Sequence, residues 1–271
     1  MEAKATCPAY VTGIFTIAPG DAAGAGFAID RHLTTAVSEK KSGRTTITIN
    51  GIEGPSMVSK AVLRRYAELV RGKIGLLEIR HETQVPIGFG LGQSAAGALS
   101  LSLAMNEFLG SGLKRQACIK MAHDAEVECN TGLSGVDAAA IGGMLARRSV
   151  KDGPVKIPFS EKEIEIAFFS PLRNSVIIGS EEWRRKVNEA AEDSLSMLFS
   201  NKSYDSFISS SRHFTAESGL GAWCSLDMGG NPRASMAMIG QTLFSDAPMK
   251  TARSPMLVMK AKTYEGGAAL L

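Results

Sequence analysis

The segment Pro86–Ser100, PIGFGLGQSAAGALS, constrains this chain more than any other. Gly88, Gly90 and Gly92 alternate with apolar residues and run straight into an alanine-rich stretch, which predicts a glycine turn opening a buried helix over Ser94–Leu109. Gly110-Ser111-Gly112 stops that helix. Backbone N–H groups at such a turn, with the positive end of the helix dipole behind them, make an anion site that needs no lysine. The expected anion is a nucleotide phosphate, held by Pro86, Gly88, Gly90, Leu91, Gly92, Gln93, Ser94, Ala95 and Ala96.

Three other glycine motifs compete for this segment. A Walker A loop requires a lysine after its last glycine, and Gln93 stands there. A Rossmann fingerprint requires a second strand and an acidic residue downstream, whereas Lys114–Cys129 reads as another helix. Gly92-Gln93-Ser94-Ala95-Ala96 is similar to a nucleophile elbow, so a serine hydrolase stays open. Its base would have to be His213 with Asp205, but residues eight apart on one helix point to different faces.

With 271 residues, 44% of them hydrophobic and 21% charged, the chain has the make-up of a globular protein with ample core. A net charge of +3 with dispersed basic residues gives no footprint for nucleic acid. Cys7, Cys118, Cys129 and Cys224 show neither CxxC nor zinc spacing, which fits reduced thiols. No signal peptide or membrane span is legible, and a cytoplasmic location without membrane contact is expected.

Along the chain, strands are expected at Val11–Ile17, Gly26–Ile29, Arg44–Asn50 and Ile74–Ile79, with a Ser56-capped helix from Met57 to Arg71. A short helix at Val136–Ile141 and a strand at Gly142–Arg148 follow. Lys151-Asp152-Gly153-Pro154 breaks the pattern, which places a lobe boundary there, with lobes at residues 1–153 and 154–271. Beyond it, strands are expected at Ile164–Phe169 and Ser175–Ile178 and helices at Glu181–Phe199, Tyr204–Ser218 and Asn231–Phe244. Strand-like stretches at Met256–Tyr264 and Ala268–Leu271 close the chain. Mixed strands and helices without regular alternation give an α+β fold in two lobes.

A second constellation lies at Ala122–Gly143, AHDAEVECNTGLSGVDAAAIGG. Glu126 falls near the end of its helix, and Asp137 follows a glycine-bracketed turn, Thr131–Gly135. Read singly, Asp137 is a first-turn acid and Glu126 a surface residue. Downstream of a phosphate loop they take on other work. Phosphoryl transfer needs oxygen ligands for a magnesium ion, which suits Glu126 and Ser94, and a group to orient or deprotonate the attacking hydroxyl, which suits Asp137.

The loop Pro86–Ala96 resembles the P-x-x-x-G-L-G-S-S-A-A motif of the GHMP kinases, and the Glu126–Asp137 spacing resembles that superfamily's magnesium glutamate and catalytic aspartate. Within the superfamily the chain is most similar to the archaeal pantoate kinases, through Pro8–Phe15, Gly24–Gly26, His123–Leu133 and Ala237–Phe244. Residues Asp152–Asn231 match only loosely. The resemblance implies ATP and Mg²⁺, transfer to the 4-hydroxyl of (R)-pantoate or a similar small hydroxy acid, and a homodimer. It also implies an N-terminal lobe like ribosomal protein S5 domain 2, with a left-handed βαβ crossover, and a ferredoxin-like C-terminal lobe. Gln93 departs from the motif, as do Ala9, Tyr10, Ala22 and Ala23, so another acceptor or a non-catalytic nucleotide binder stays open. Tyr10, Thr12, His32 and Ser134 are candidate substrate-binding residues, and Arg31, His32 and Arg147 are candidates for an acceptor carboxylate.

Overall fold

The computed structural model describes residues 2–18, 22–54, 56–72, 74–131, 135–172, 175–228 and 230–271. The first half builds strands β1 (Glu2–Phe15), β2 (Gly24–Glu39), β3 (Thr46–Ile49), β4 (Ile52–Glu53), β5 (Leu77–Thr83) and β6 (Met144–Arg147). Between them lie helices α1 (Met57–Leu69), α2 (Gln93–Leu109), α3 (Arg115–Glu128) and α4 (Gly135–Ile141). The second half adds β7 (Val155–Ile157), β8 (Glu163–Ser170), α5 (Ser175–Ile178), α6 (Glu181–Ser200), α7 (Tyr204–Glu217), α8 (Leu220–Trp223), β9 (Ala234–Met236), β10 (Gln241–Ser245), β11 (Leu257–Lys262) and β12 (Ala269–Leu270).

The larger sheet runs β12-β1-β2-β5-β3-β4, with β6 pairing β2 and β7 pairing β6. β1 and β2 are long antiparallel strands, where the sequence pattern predicted short ones, because alternation continues through register shifts at Pro8/Ala9 and Thr12/Ile14. Ala5 and Cys7 belong to the core under the helices, while Ala9, Val11 and Ile14 belong to the core under the second sheet; the first shift falls at the changeover. β3 pairs β5 in parallel across α1, the one parallel pairing among the described strands. The smaller sheet, β11-β8-β10-β9, has the strand order expected of a ferredoxin-like lobe. Its two long helices both follow β8, and residues 246–256 between β10 and β11 contain no helix.

Three expectations are corrected. Asn231–Phe244, predicted as a helix, is the β9–β10 hairpin, because its apolar residues are consumed by pairing against β8 and a Cβ on Gly240 would lie 2.2 Å from the Phe89 carbonyl oxygen. Ser175–Ile178, predicted as a strand, is a single helical turn leading into α6. Ser56 does precede α1, but its hydroxyl bonds the Gly54 carbonyl at 3.1 Å rather than capping the helix.

α2 is apolar all round and forms the centre of the helical layer. Its run of small residues lets neighbours approach closely, as where a Cβ on Gly135 would come 3.2 Å from Ala95. The opposite face carries an aromatic cluster in which Phe27 meets Phe207 and Phe244 edge-on, at 5.7 and 5.6 Å.

His81, to which the sequence assigns no role, is a buried structural residue on β5. Its Nδ1 lies 2.8 Å from Thr35 Oγ1 and its Nε2 3.0 Å from Ser59 Oγ, joining β5 to β2 and α1. Burial pushes its pKa down to about 4. The fold therefore favours the neutral ring: its contribution is complete above pH 6.5 and is lost as pH falls from 6.5 toward 4. The loss comes to about 3 kcal/mol. Urea unfolding of the wild type and His81→Gln between pH 7 and 4 checks this, and equal pH slopes for the two proteins would refute it.

Candidate active site

Each glycine of the loop has a positive φ: +87° at Gly88, +77° at Gly90 and +67° at Gly92, the residue preceding α2. Gly90 must also lack a side chain, since a Cβ there would lie 2.8 to 2.9 Å from the backbone of Ala237, Ile239 and Gly240. What the loop approaches so closely is therefore the β9–β10 turn of the second sheet. Phe89 and Leu91 are buried beneath it, and the Gly88 and Leu91 carbonyls accept from Leu172 N at 2.9 Å and Tyr10 N at 3.2 Å. These contacts fix one side of the loop. On the other, no side chain caps α2, and its first-turn N–H groups have no intrahelical acceptors.

Gln93, Ala95 and Ala96 are buried, whereas Ser94 is exposed. Gln93 turns inward: its Oε1 accepts from Thr83 Oγ1 at 2.5 Å and its Nε2 donates to the Leu91 carbonyl at 3.2 Å. In place of the motif's serine it thus ties the loop to the end of β5. Pro86 and Ile87 border an apolar cleft of about 340 Å³ that also includes Ile49 and Ile52.

Ser94 donates to Glu126 Oε1 at 2.5 Å, and Thr131 Oγ1 donates to the same oxygen at 2.8 Å. Glu126 is 2% exposed, so it is no surface residue. Burial pushes its carboxyl above the usual carboxylate range, against the pull of the Ser94 and Thr131 hydrogen bonds. No cation forms an ion pair with it among the described residues. A buried carboxylate flanked by two hydroxyls, beside a free helix N-terminus, is a hard-oxygen donor set that fits Mg²⁺, which takes one or two carboxylates and completes its shell with water and phosphate. Among the described residues no cluster of three or more His, Cys, Asp or Glu offers a rival metal site. Thr131 was not singled out from sequence; its place five residues after Glu126, just past the helix end, was the available signal.

Asp137 stands in the first turn of α4, about a third exposed, with Arg147 Nη1 3.4 Å from its Oδ2. The Gly135–Ala95 contact brings this turn against the first turn of α2. Arg115 fixes the other end of α4 by donating to the Ala140 and Ala268 carbonyls at 3.0 and 2.6 Å. Arg147 ends β6 opposite Gly24. Tyr10 and Thr12 face the same cavity of about 80 Å³, which Asp137 and Arg147 line. Gly26 makes room for the Tyr10 ring, where a Cβ would lie 2.6 Å from Cε1. The sequence gives Gly24–Gly26 only as a point of resemblance; here it forms the cavity floor. Burial pushes the Tyr10 hydroxyl up, partly offset by a backbone hydrogen bond with Leu145 and the charge of Arg147.

His32 and Arg31 are not brought to this cavity. The His32 ring packs edge-on against Tyr264 at 5.0 Å, and Arg31 pairs Asp30 at 2.9 Å and the Lys260 carbonyl at 2.5 Å. Ser134 lies outside the described residues. Nor is a hydrolase assembled: Ser94 bonds Glu126, while His213 lies 3.2 Å from Ser194. Among the described residues no helix is long and apolar enough to cross a membrane.

The GHMP kinases N terminal domain matches residues 57–143, which hold the loop, Glu126 and Asp137. The pantoate kinase of Methanocaldococcus jannaschii is 28% identical over 268 residues, 93% of this chain and 96% of that protein. The pantoate kinase of Methanospirillum hungatei is 26% identical over 80% of this chain and 75% of its own length. A solved phosphotransferase related to the CoA biosynthesis pathway superposes with a TM-score of 0.80 over 100% of this chain and 99% of that one, at 19% identity. Residues 57–143, which hold the loop, the Ser94–Glu126 pair and Asp137, thus match the GHMP kinases N terminal domain, and nearly the whole chain is similar to a pantoate kinase.

Proposed function

We propose that the protein is an ATP-dependent kinase that phosphorylates the 4-hydroxyl of (R)-pantoate, giving 4-phosphopantoate for coenzyme A synthesis. The observation that carries this reading is the juxtaposition of the uncapped α2 N-terminus, the pairing of Ser94 with the buried Glu126, and Asp137 on the adjoining first turn of α4. Similarity along nearly the whole chain to a pantoate kinase favours pantoate among small hydroxy acids.

In this reading residues 1–153 carry the nucleotide. The α2 N–H groups and the backbone of Gly88–Gly92 cradle its phosphates. The apolar cleft of Ile49, Ile52 and Ile87 receives its base. Ser94 and Glu126 hold Mg²⁺, which when bound neutralises charge on the β- and γ-phosphates. The acceptor enters the cavity of Tyr10 and Thr12 with its hydroxyl at Asp137. Asp137 takes the hydroxyl proton as the oxygen bonds the γ-phosphorus and the bond to the β,γ-bridging oxygen breaks, releasing ADP. Residues 154–271 back the loop through Gly240 and Leu172.

Incubation with ATP, Mg²⁺ and (R)-pantoate, followed by ³¹P NMR, tests the reading. A phosphomonoester coupled to the two protons of the C4 methylene is expected. A product coupled to the single C2 proton, or none, would overturn it.

A further inference from the structure

Resting on the kinase reading above, we propose that Asn188, on α6 in the second half of the chain, is a positioning residue for the acceptor: it holds the end of β1 in the shape that closes one wall of the acceptor cavity. The Ile17 N–H donates to Asn188 Oδ1 at 2.7 Å, and Asn188 Nδ2 donates back to the Ile17 carbonyl at 3.2 Å. A backbone N–H can only donate and a carbonyl only accept, so this pair of bonds requires a side-chain amide. The amide serves Ile17 as the peptide of a neighbouring strand would, from 171 positions away in the chain.

Three elements in turn hold β1 beyond Thr6, where its pairing with β12 ends. The Tyr10 N–H donates to the Leu91 carbonyl at 3.2 Å, and the Thr12 carbonyl accepts from Met238 N at 2.8 Å, so the phosphate loop and the β9–β10 turn each fix one residue of the strand. Ile17, two residues past the end of β1, is fixed by α6, and its buried side chain shares a core with Val187 and Ala191 of that helix. Just before it, the Thr16 N–H donates to the Ala23 carbonyl at 3.0 Å and the Ala23 N–H donates to Thr16 Oγ1 at 2.8 Å. Ala23 and Gly24 line the cavity of about 80 Å³ that Asp137 also lines, as does Phe15, which stands opposite Gly24 in the β1–β2 ladder. Asn188 therefore reaches the cavity wall through Ile17, Thr16 and Ala23. Strand ends open most readily, and a wall left to open would have to be ordered again each time the acceptor binds, at a cost in affinity. In so small a cavity a displacement of about 1 Å is enough to spoil the fit of the acceptor. The phosphate loop and the Ser94–Glu126 pair rest on other contacts, so the nucleotide is untouched.

Calorimetric titration of (R)-pantoate into the protein saturated with a non-hydrolysable ATP analogue and Mg²⁺, with amide hydrogen exchange of residues 14–18 in the same proteins, tests this role. Asn188→Leu, which keeps the size and removes both bonds, is expected to speed exchange at Ile17 at least tenfold and to weaken pantoate at least tenfold, with ATP-analogue affinity changed less than twofold. Asn188→Asp keeps an acceptor for the Ile17 N–H but loses the donor to its carbonyl. It should fall between wild type and Asn188→Leu, and it carries the test if the leucine variant does not fold. Glu192→Gly weakens the same helix at an exposed position, so it should lower the melting temperature and leave pantoate affinity as it was. Faster exchange in the Asn188 variants with pantoate affinity unchanged would make Asn188 a structural tie alone and overturn the proposal. So would an equal loss of pantoate affinity in Glu192→Gly. Turnover is read separately: a wild-type protein that binds pantoate and loses it in the Asn188 variants, yet transfers no phosphoryl group, would sink the kinase reading and leave the positioning role standing.

Discussion

Asp137→Asn is expected to lower kcat by two to four orders of magnitude while ATP affinity changes less than threefold. Asparagine keeps the shape of the side chain and can still meet Arg147, but it cannot accept a proton, and a positioned general base contributes about 10²- to 10⁴-fold. Asp137 belongs neither to the Ser94–Glu126 pair that would hold the metal nor to the loop that would hold the phosphates, so the nucleotide loses no direct ligand. Neutralising the partner of the buried Arg147 also costs stability, so the variant's melting temperature should fall, and activity is to be read well below it. The split between kcat and nucleotide affinity makes the test informative. A protein that only bound nucleotide would be indifferent to the change in both measurements. A kcat loss under tenfold would remove Asp137 from the role of base.

Gly90→Ala should be among the most damaging single-methyl additions in the chain. At φ +77° an L-residue costs about 1–2 kcal/mol. The added Cβ would also drive into the backbone at Ala237, Ile239 and Gly240, where no rotamer can relieve it, for about 1–3 kcal/mol more. Together about 2–5 kcal/mol would be lost. Gly240→Ala meets the same contact from the other side, 2.2 Å from the Phe89 carbonyl oxygen. Gly110→Ala is the control: its φ is +58° and nothing lies within 4 Å of the added atom, so it should lose only about 1–2 kcal/mol. Urea unfolding of the three variants measures the order. Equal losses at Gly90 and Gly110 would mean that backbone conformation alone dictates glycine in the loop.

That contrast bears on what the sequence could disclose. Alternating glycines before an alanine-rich run were enough to place the loop and α2, because a positive φ and a buried helix leave local signatures in composition. They could not disclose that Gly90 answers to Gly240, since that contact joins residues 150 positions apart in the chain. The same non-local pairing hid the β9–β10 hairpin, whose Ala- and Met-rich stretch reads as a helix until β8 is set beside it. Glu126 and Asp137 were legible as a pair by their spacing and their resemblance to a known motif. The burial of Glu126, and the arrival of Arg147 from β6 at Asp137, were not, because each depends on which strand edge meets which helix end. His32, a candidate for the acceptor carboxylate, packs against Tyr264 from the last stretch of the chain, a neighbour no local pattern announces.

The proposed reaction is transfer of a phosphoryl group to a small hydroxy acid. The most direct measurement is ADP release from ATP and Mg²⁺ with pantoate, pantothenate, homoserine, shikimate, mevalonate and mevalonate phosphates offered in turn, alongside ATP binding to the same preparation. Rapid ADP release is expected with pantoate, with at least 100-fold lower kcat/KM for each of the others. Measurable ATP binding with no acceptor-dependent ADP release across the panel would contradict it.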